Sequence, residues 1–289
     1  MDIIALRNSG TIPSATLDIF DSIKDFCFSS SMIEHENFVC DAYKYYIEYM
    51  MEMPSNEQQI FLNLLKKFEI LDNHSLEGED TFLVHFYREV HLVNDIDILL
   101  SNDFFTRTQF VNGHKILLKG TKGDEYASRD HRISNTTYVG AIYPNGNIGV
   151  DYFPIDCDLI EEAIFQFLSF YNSDIYDKHL FLKSLMIHGI IAGLQMFDDG
   201  NTRYARLLQN IKLYDLTLKN FGYDFSTPVF YNTKTYFQYR GQYRDFIRDL
   251  ILAPIEENWE KWFHFNLNRC EDQINFLMHK IENYKKLVR

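Results

Sequence analysis

The sequence predicts a mainly α-helical protein with a single β-hairpin. Three observations carry this reading. Apolar residues recur at helical spacing over most of the 289 residues, an Asn-Gly turn sits between two β-rich runs, and one nearly apolar stretch reads as a buried helix. In chain order, Leu17–Phe28 places Leu17, Phe20, Ile23, Cys27 and Phe28 near one face. Phe38–Met51 repeats Val39, Ala42, Tyr46 and Met50, and Glu57–Ile70 repeats Ile60, Leu64 and Phe68. Asp80–Leu100 reads as a further helix or two. Thr136–Val139 and Ile148–Tyr152 flank Tyr143-Pro144-Asn145-Gly146-Asn147, the hairpin signal. Leu159–Tyr171, Leu180–Phe197, Thr202–Asn220 and Asn258–Leu287 complete the helical set. Lys119–Arg132 is the most polar connecting segment, and no repeat or low-complexity tract interrupts the chain.

With 46% hydrophobic and 24% charged residues, 25 Phe and 19 Tyr, the chain can build one large core, or one domain with a helical extension. A formal net charge of -13 argues against nucleic-acid binding, because no excess of Lys and Arg exists to displace counterions from a phosphate backbone. An anionic ligand needs a local cationic pocket instead. Cys27, Cys40, Cys157 and Cys270 are scattered without metal spacing and read as reduced thiols of a cytoplasmic protein. No secretory leader is expected from Met1–Leu6, and Leu185–Phe197, broken by His188 and Gln195, is too short to span a bilayer.

The segment richest in chemistry is Gln195-Met196-Phe197-Asp198-Asp199-Gly200-Asn201-Thr202-Arg203-Tyr204-Ala205-Arg206. A helix starting near Thr202 leaves its first N–H groups without intrahelical acceptors, and its dipole favours an anion there. Gly200 permits positive φ and close approach of backbone to a phosphate. Asn201 can cap the helix or donate to a phosphate oxygen. Arg203 and Arg206, three apart, share a face and can fork onto phosphate oxygens, while Asp199 can offer Mg²⁺ one carboxylate. A plain helix–helix connection with two surface arginines uses the same letters. Elsewhere, His188 reads as a core histidine two turns up the same helix. His85 and His91 do not share a face well enough for a metal pair. His114 and His131 flank the polar loop, with no spacing that demands a site role, and Lys115, Lys119 and Lys122 read as a solvated face.

Phe197-x-Asp199-Gly200-Asn201-x-Arg203-x-x-Arg206 resembles the HxFx(D/E)GN(G/K)RxxR signature of the Fic (Fic/Doc, "Fido") family. Gly123-x-x-Tyr126, Arg129 and Tyr152-Phe153-Pro154 around the hairpin resemble the family's flap. Thr227–Tyr231, Arg240-x-x-Tyr243 and Trp259-x-x-Trp262 resemble its closing helices, so the likeness covers roughly Lys115 to the C-terminus. It implies a Fic-type helical bundle with a β-hairpin flap over the site. The division is an N-terminal helical region, 1–110, and a Fic-like domain, 111–289, with the flap at about 134–153 and the motif at 195–206.

The activity implied is transfer of AMP from ATP, or from another nucleotide donor, to a Ser, Thr or Tyr hydroxyl of a target protein. Gly200, Asn201, Thr202, Arg203 and Arg206 would hold the nucleotide, with Mg²⁺ at Asp199 and the target along the hairpin edge near Val139–Tyr143. Thr202 departs from the usual Gly or Lys, and Met196 from the usual Pro. Gln195 stands in the catalytic position where the family has its histidine base, beside Asn201. A neutral amide accepts no proton, so activity is expected to be weakened or altered. A non-catalytic nucleotide- or protein-binding regulator is the alternative. Ser30-x-x-x-Glu34-His35, in a stretch at about 28–37, resembles the family's inhibitory helix, (S/T)xxxE(G/N), whose glutamate would compete for Arg206. A Ser N-cap followed by Glu near a helix start gives the same letters. A homodimer is in keeping with the family, and neither nucleic acid nor membrane is expected as a partner.

Overall fold

The structure, a computed structural model, describes residues 2–75, 104–142, 148–223 and 228–288. Within them the helices are α1 (Ile3–Asn8), α2 (Asp18–Lys24), α3 (Ser30–Met51), α4 (Ser55–Ser75), α5 (Arg107–Leu118), α6 (Ile160–Asn172), α7 (Leu180–Leu194), α8 (Asn201–Phe221), α9 (Thr233–Gln238), α10 (Arg240–Leu252) and α11 (Glu256–Val288). Strands β1 (Val139–Ile142) and β2 (Ile148–Tyr152) form an antiparallel hairpin, with Val139 opposite Tyr152 and a register irregularity before Gly140. The helix expected at Asp80–Leu100, with His85 and His91, and the turn Tyr143–Asn147 fall outside the described residues.

Helix α7 is apolar on all sides but for Lys183, Ser184 and His188, and each of its residues is buried. It packs against α8 over its length and against α3, α10 and α11. Its first amides are capped from another helix. The buried Glu36 of α3 accepts from Phe181 N at 3.1 Å, Leu182 N at 3.2 Å and His179 Nδ1 at 2.7 Å. Trp262 of α11 donates its indole N–H to Leu185 O, and Trp259 donates to Ser22, which fastens the long C-terminal helix across the bundle. One apolar core runs from Ala15 to Ile281. Among the described residues no helix is long and apolar enough to cross a membrane.

Two elements differ from the sequence expectation. Helix α7 ends at Leu194 rather than Phe197, because Gln195 turns left-handed at φ +55. The first strand begins at Val139, because the chain before it is held in irregular form. There Asn135 bonds Asp156 and Cys157, and Ser134 bonds Thr136. Helix α5, which the apolar periodicity did not single out, opens on a capping box between Thr106 and Gln109.

Candidate functional site

The end of α7 is closed by groups from the flap base. Tyr152 Oη donates to Gly193 O at 2.9 Å, Ile155 N to Leu194 O at 3.2 Å, and Arg132 N to Met196 O at 2.9 Å. Arg132 also reaches Gln195 O at 3.3 Å, and its guanidinium donates to Ser134 O and Ile155 O. The carbonyls that a helix C-terminus leaves without partners are thereby met. Arg132 is wholly buried and does structural work that the motif alone does not announce. Gln195 sits at this end with its side chain folded back, Nε2 donating to Ala192 O at 2.5 Å.

The turn that follows is stapled by Asn201, which accepts from Phe197 N and donates to Phe197 O, both at 2.9 Å. Asn201 therefore orders the loop here rather than pointing a donor outward. Gly200 is the N-cap of α8 at φ +77, a conformation that side chains other than glycine rarely adopt. Asp199 accepts from Gly200 N on Oδ1 at 2.7 Å and from Arg203 Nη2 on Oδ2 at 2.8 Å. Asp198 is held by Arg129 at 3.0 Å. Gly123 lies so close that a Cβ there would collide with Asp199 Oδ2. The polar loop, with its short 3₁₀ turn Asp124–Ser128, thus forms one wall of the site.

Helix α5 forms the back wall. His114 donates from Nε2 to Asp199 O at 2.7 Å and stacks on Phe197, with centroids 3.6 Å apart and planes at 10°. Burial lowers its pKa to about 3, so the ring is neutral. His188 bonds Gln209 Oε1 at 2.5 Å and Tyr243 Oη at 2.7 Å, and burial lowers its pKa also to about 3. It is a core histidine, as its spacing suggests. His131 pairs with Glu161 at 3.1 Å, Lys115 with Asp130 at 2.7 Å, and Lys119 with Asp124 at 3.5 Å.

Arg203 and Arg206 are 1% and 2% exposed, and both meet the last turn of α4. Arg206 Nε donates to Asn73 Oδ1 at 2.6 Å and Nη2 to Asn73 O at 3.3 Å. Asn73 Nδ2 donates to Arg203 O at 3.2 Å, and Arg203 Nη1 lies 3.4 Å from His74 Nδ1. One turn earlier, Glu69 is buried between Thr233 and Asn210, and desolvation raises its carboxyl pKa to about 8.

The structure does not bring Ser30 and Glu34 to these arginines, which corrects the placement expected for an inhibitory glutamate. Ser30 begins α3 and Glu34 is exposed on it, while the next residue, His35, pairs with His264 of α11. Among the described residues no ion pair links Glu34 with Arg206. The arginines are met by α4 instead, and a sequence signal for that existed. Asn73-x-x-x-Glu77-Gly78 matches the (S/T)xxxE(G/N) pattern at its glutamate and glycine, with Asn in the first place. Glu77 and Gly78 lie outside the described residues.

For a divalent cation, Asp199 is the fitting group: its side chain is 42% exposed at the start of α8, where phosphates would supply further oxygens. Thr202, half-buried in the first turn, lies beside it. The cluster Asp156, Cys157 and Asp158 is tied to Asn135 and to Arg7, at the flap base rather than at this turn.

The Fic/DOC family profile matches residues 104–213, from the lead into α5 to the middle of α8. Among solved structures, a fragment of Fic-1 from C. elegans is similar at 16% identity and a TM-score of 0.61. The match covers 89% of this chain and 74% of that one. A Fic domain containing signaling protein from Bacteroides thetaiotaomicron is similar at 12% identity and a TM-score of 0.54, covering 83% and 95%. At these identities the likeness is one of fold.

Proposed function

We propose, from the premise that this chain carries a Fic/DOC-family domain at residues 104–213, that it binds a nucleoside triphosphate with Mg²⁺ and transfers its nucleotidyl group, slowly, to a protein hydroxyl. The observation that carries the reading is the turn Asp199–Arg206. It presents a helix N-terminus on a positive-φ glycine, one outward carboxylate and two buried arginines side by side against a single helix end.

ATP is the expected donor. Its phosphates would lie over the first turn of α8, at Gly200, Asn201 and Thr202, with Arg203 and Arg206 forking onto their oxygens. Asp199 would hold Mg²⁺, which when bound draws charge from the phosphates. The target segment would pair with the edge of β1 that, among the described residues, β2 leaves open. In the transfer, the hydroxyl oxygen bonds to the α-phosphorus, the bond to the bridging oxygen breaks, and pyrophosphate leaves. The hydroxyl proton must also leave. Gln195 stands at the end of α7 where the family has its histidine, and its amide takes no proton. The proton passes to water, at a cost on the order of 10²–10⁴ in rate.

Autoinhibition belongs to the same reading. The phosphate-binding arginines are engaged by Asn73 and His74, so the end of α4 must shift before nucleotide binds. A second reading, a non-catalytic nucleotide-dependent regulator, is favoured by Gln195 alone. The deciding experiment measures ATP·Mg²⁺ binding by calorimetry for wild type and Arg203→Ala, then self- and target-labelling with α-labelled ATP. Binding abolished by Arg203→Ala together with slow labelling supports the transferase. Binding without any labelling supports the regulator, and no binding sinks both.

A further inference from the structure

We infer that His114 is a positioning residue of this site: from α5 it holds the Asp199–Gly200 peptide, and through it the carboxylate of Asp199 and the amides that open α8. The inference rests on the nucleotide reading above and adds a residue lying outside the 195–206 motif.

The geometry is specific. A carbonyl oxygen only accepts, so the 2.7 Å contact from His114 Nε2 to Asp199 O places the ring proton on Nε2. Nδ1 then carries none, and it is buried without a hydrogen-bond partner. A histidine kept for packing alone would be a poor choice here, since Phe or Leu fills space without burying an unmet acceptor. What histidine supplies and they do not is the Nε2–H donor.

The ring is also fixed in plane. Phe197 stacks on one side, and Tyr204 meets it edge-on at 5.6 Å and 66°. The turn is pressed onto this wall: a Cβ on Gly200 would come 2.8 Å from Leu118 Cδ2 and 3.3 Å from His114 Nε2.

The consequence follows from the planar trans peptide, in which C=O and the next N–H point opposite ways. With the Asp199 carbonyl turned in toward α5, the Gly200 N–H points away from α5. There it meets Asp199 Oδ1 at 2.7 Å, leaving Oδ2 to Arg203 at 2.8 Å. One donor on α5 thus sets the peptide plane, the peptide plane sets the carboxylate, and the carboxylate sets Arg203.

Two substitutions separate this role from packing. His114→Gln keeps an Nε2 donor and loses the stacked ring. His114→Phe keeps the ring and loses the donor. The full chain is measured three ways: melting temperature, ATP·Mg²⁺ affinity by calorimetry, and hydrogen exchange of the peptide spanning 197–204 without nucleotide. The expected orders cross. His114→Phe melts at or above His114→Gln, yet binds ATP·Mg²⁺ about tenfold more weakly than wild type and exchanges faster at the turn. His114→Gln stays within about threefold of wild-type affinity and leaves the exchange unchanged. If affinity and exchange instead follow melting temperature across the three proteins, or if His114→Phe matches wild type in both, the positioning role is wrong. A wild type that binds no ATP·Mg²⁺ sinks the nucleotide reading, and the exchange arm then upholds or overturns the role of His114 on its own.

Discussion

Replacing Asn73 with alanine tests the autoinhibitory reading most directly. The side chain makes two bonds to the arginine pair, accepting from the Arg206 guanidinium at 2.6 Å and donating to Arg203 O at 3.2 Å. A hydrogen bond to a charged group contributes about 1.5–3 kcal/mol net, and the 3.3 Å contact of Arg206 Nη2 with the Asn73 carbonyl survives the substitution. If the engaged arrangement dominates and nucleotide must displace it, apparent affinity is reduced by the small fraction of molecules with α4 withdrawn. Weakening the engaged state by that amount raises ATP·Mg²⁺ affinity roughly ten- to hundredfold, since each 1.4 kcal/mol is a factor of ten. Calorimetric titration of Asn73→Ala against wild type reads this. Asn63→Ala, an exposed change earlier on α4, serves as the control and leaves affinity unchanged. The melting temperature of Asn73→Ala falls, because α4 docks less firmly. A folded Asn73→Ala protein that binds ATP·Mg²⁺ no better than wild type would refute the idea that α4 competes with nucleotide.

Three further outcomes follow from the same geometry. Gln195→His places a base at a left-handed position that histidine tolerates better than most residues; labelling with α-labelled ATP rises on the order of 10²–10⁴-fold. Unchanged labelling alongside intact ATP binding would mean that a missing base is not the limit. Gly123→Ala, at φ -85 and hence without backbone strain, pushes a methyl group against Asp199 Oδ2; ATP affinity in Mg²⁺ drops about tenfold, with little change in melting temperature. Equal affinity would remove Asp199 from the site. Glu69, whose carboxyl is raised to about 8 from an ordinary 4.5, binds more protons folded than unfolded between those values. Its contribution to stability is therefore present below about pH 4.5 and lost as pH rises through about 8, with a ceiling of about 5 kcal/mol. Urea unfolding at pH 5 and pH 8 shows this fall in wild type and a flatter profile in Glu69→Gln; identical profiles would contradict the assignment.

Much of this was readable from the chain. Helix α7 could be recognised because burial on all sides requires apolar residues on all sides, and its run admits few polar interruptions. The turn 195–206 could be recognised because a positive-φ glycine before a helix with two arginines leaves a distinctive local pattern. Helix α5 was harder. Asn112, Gly113 and His114 interrupt its apolar periodicity, although Thr106-x-x-Gln109 announced its start. The role proposed for His114 was not legible at all, because it depends on Asp199, which arrives from 85 residues away in the chain, and on Phe197 just before it. The same limit applies to the proposed inhibitory segment. Ser30–His35 and Asn73–Gly78 each match the pattern only in part, sharing its glutamate, and local pattern does not say which helix end meets Arg206. Docking of α4 against α8 decides that, through Asn73 and through Glu69 with Asn210.

The position of Gln195 bears on whether the proposed site turns over or only binds. A loop without a role would be expected to show loose packing at the end of α7. It shows the reverse. Successive carbonyls from Gly193 to Met196 are each met by the flap base, Gln195 turns left-handed, and Asn201 staples the loop to Phe197. A left-handed residue other than glycine costs about 1–2 kcal/mol. That expense recurs on every molecule, and a simple helix end carrying glycine would avoid it. Found alongside two buried arginines, the left-handed turn is in keeping with the proposed nucleotide-holding scaffold, in which Gln195 is the group on which proton handling turns. The amide of Gln195 can still orient a hydroxyl or a water by hydrogen bonding, which is the role a slow transferase and a nucleotide-sensing regulator would share.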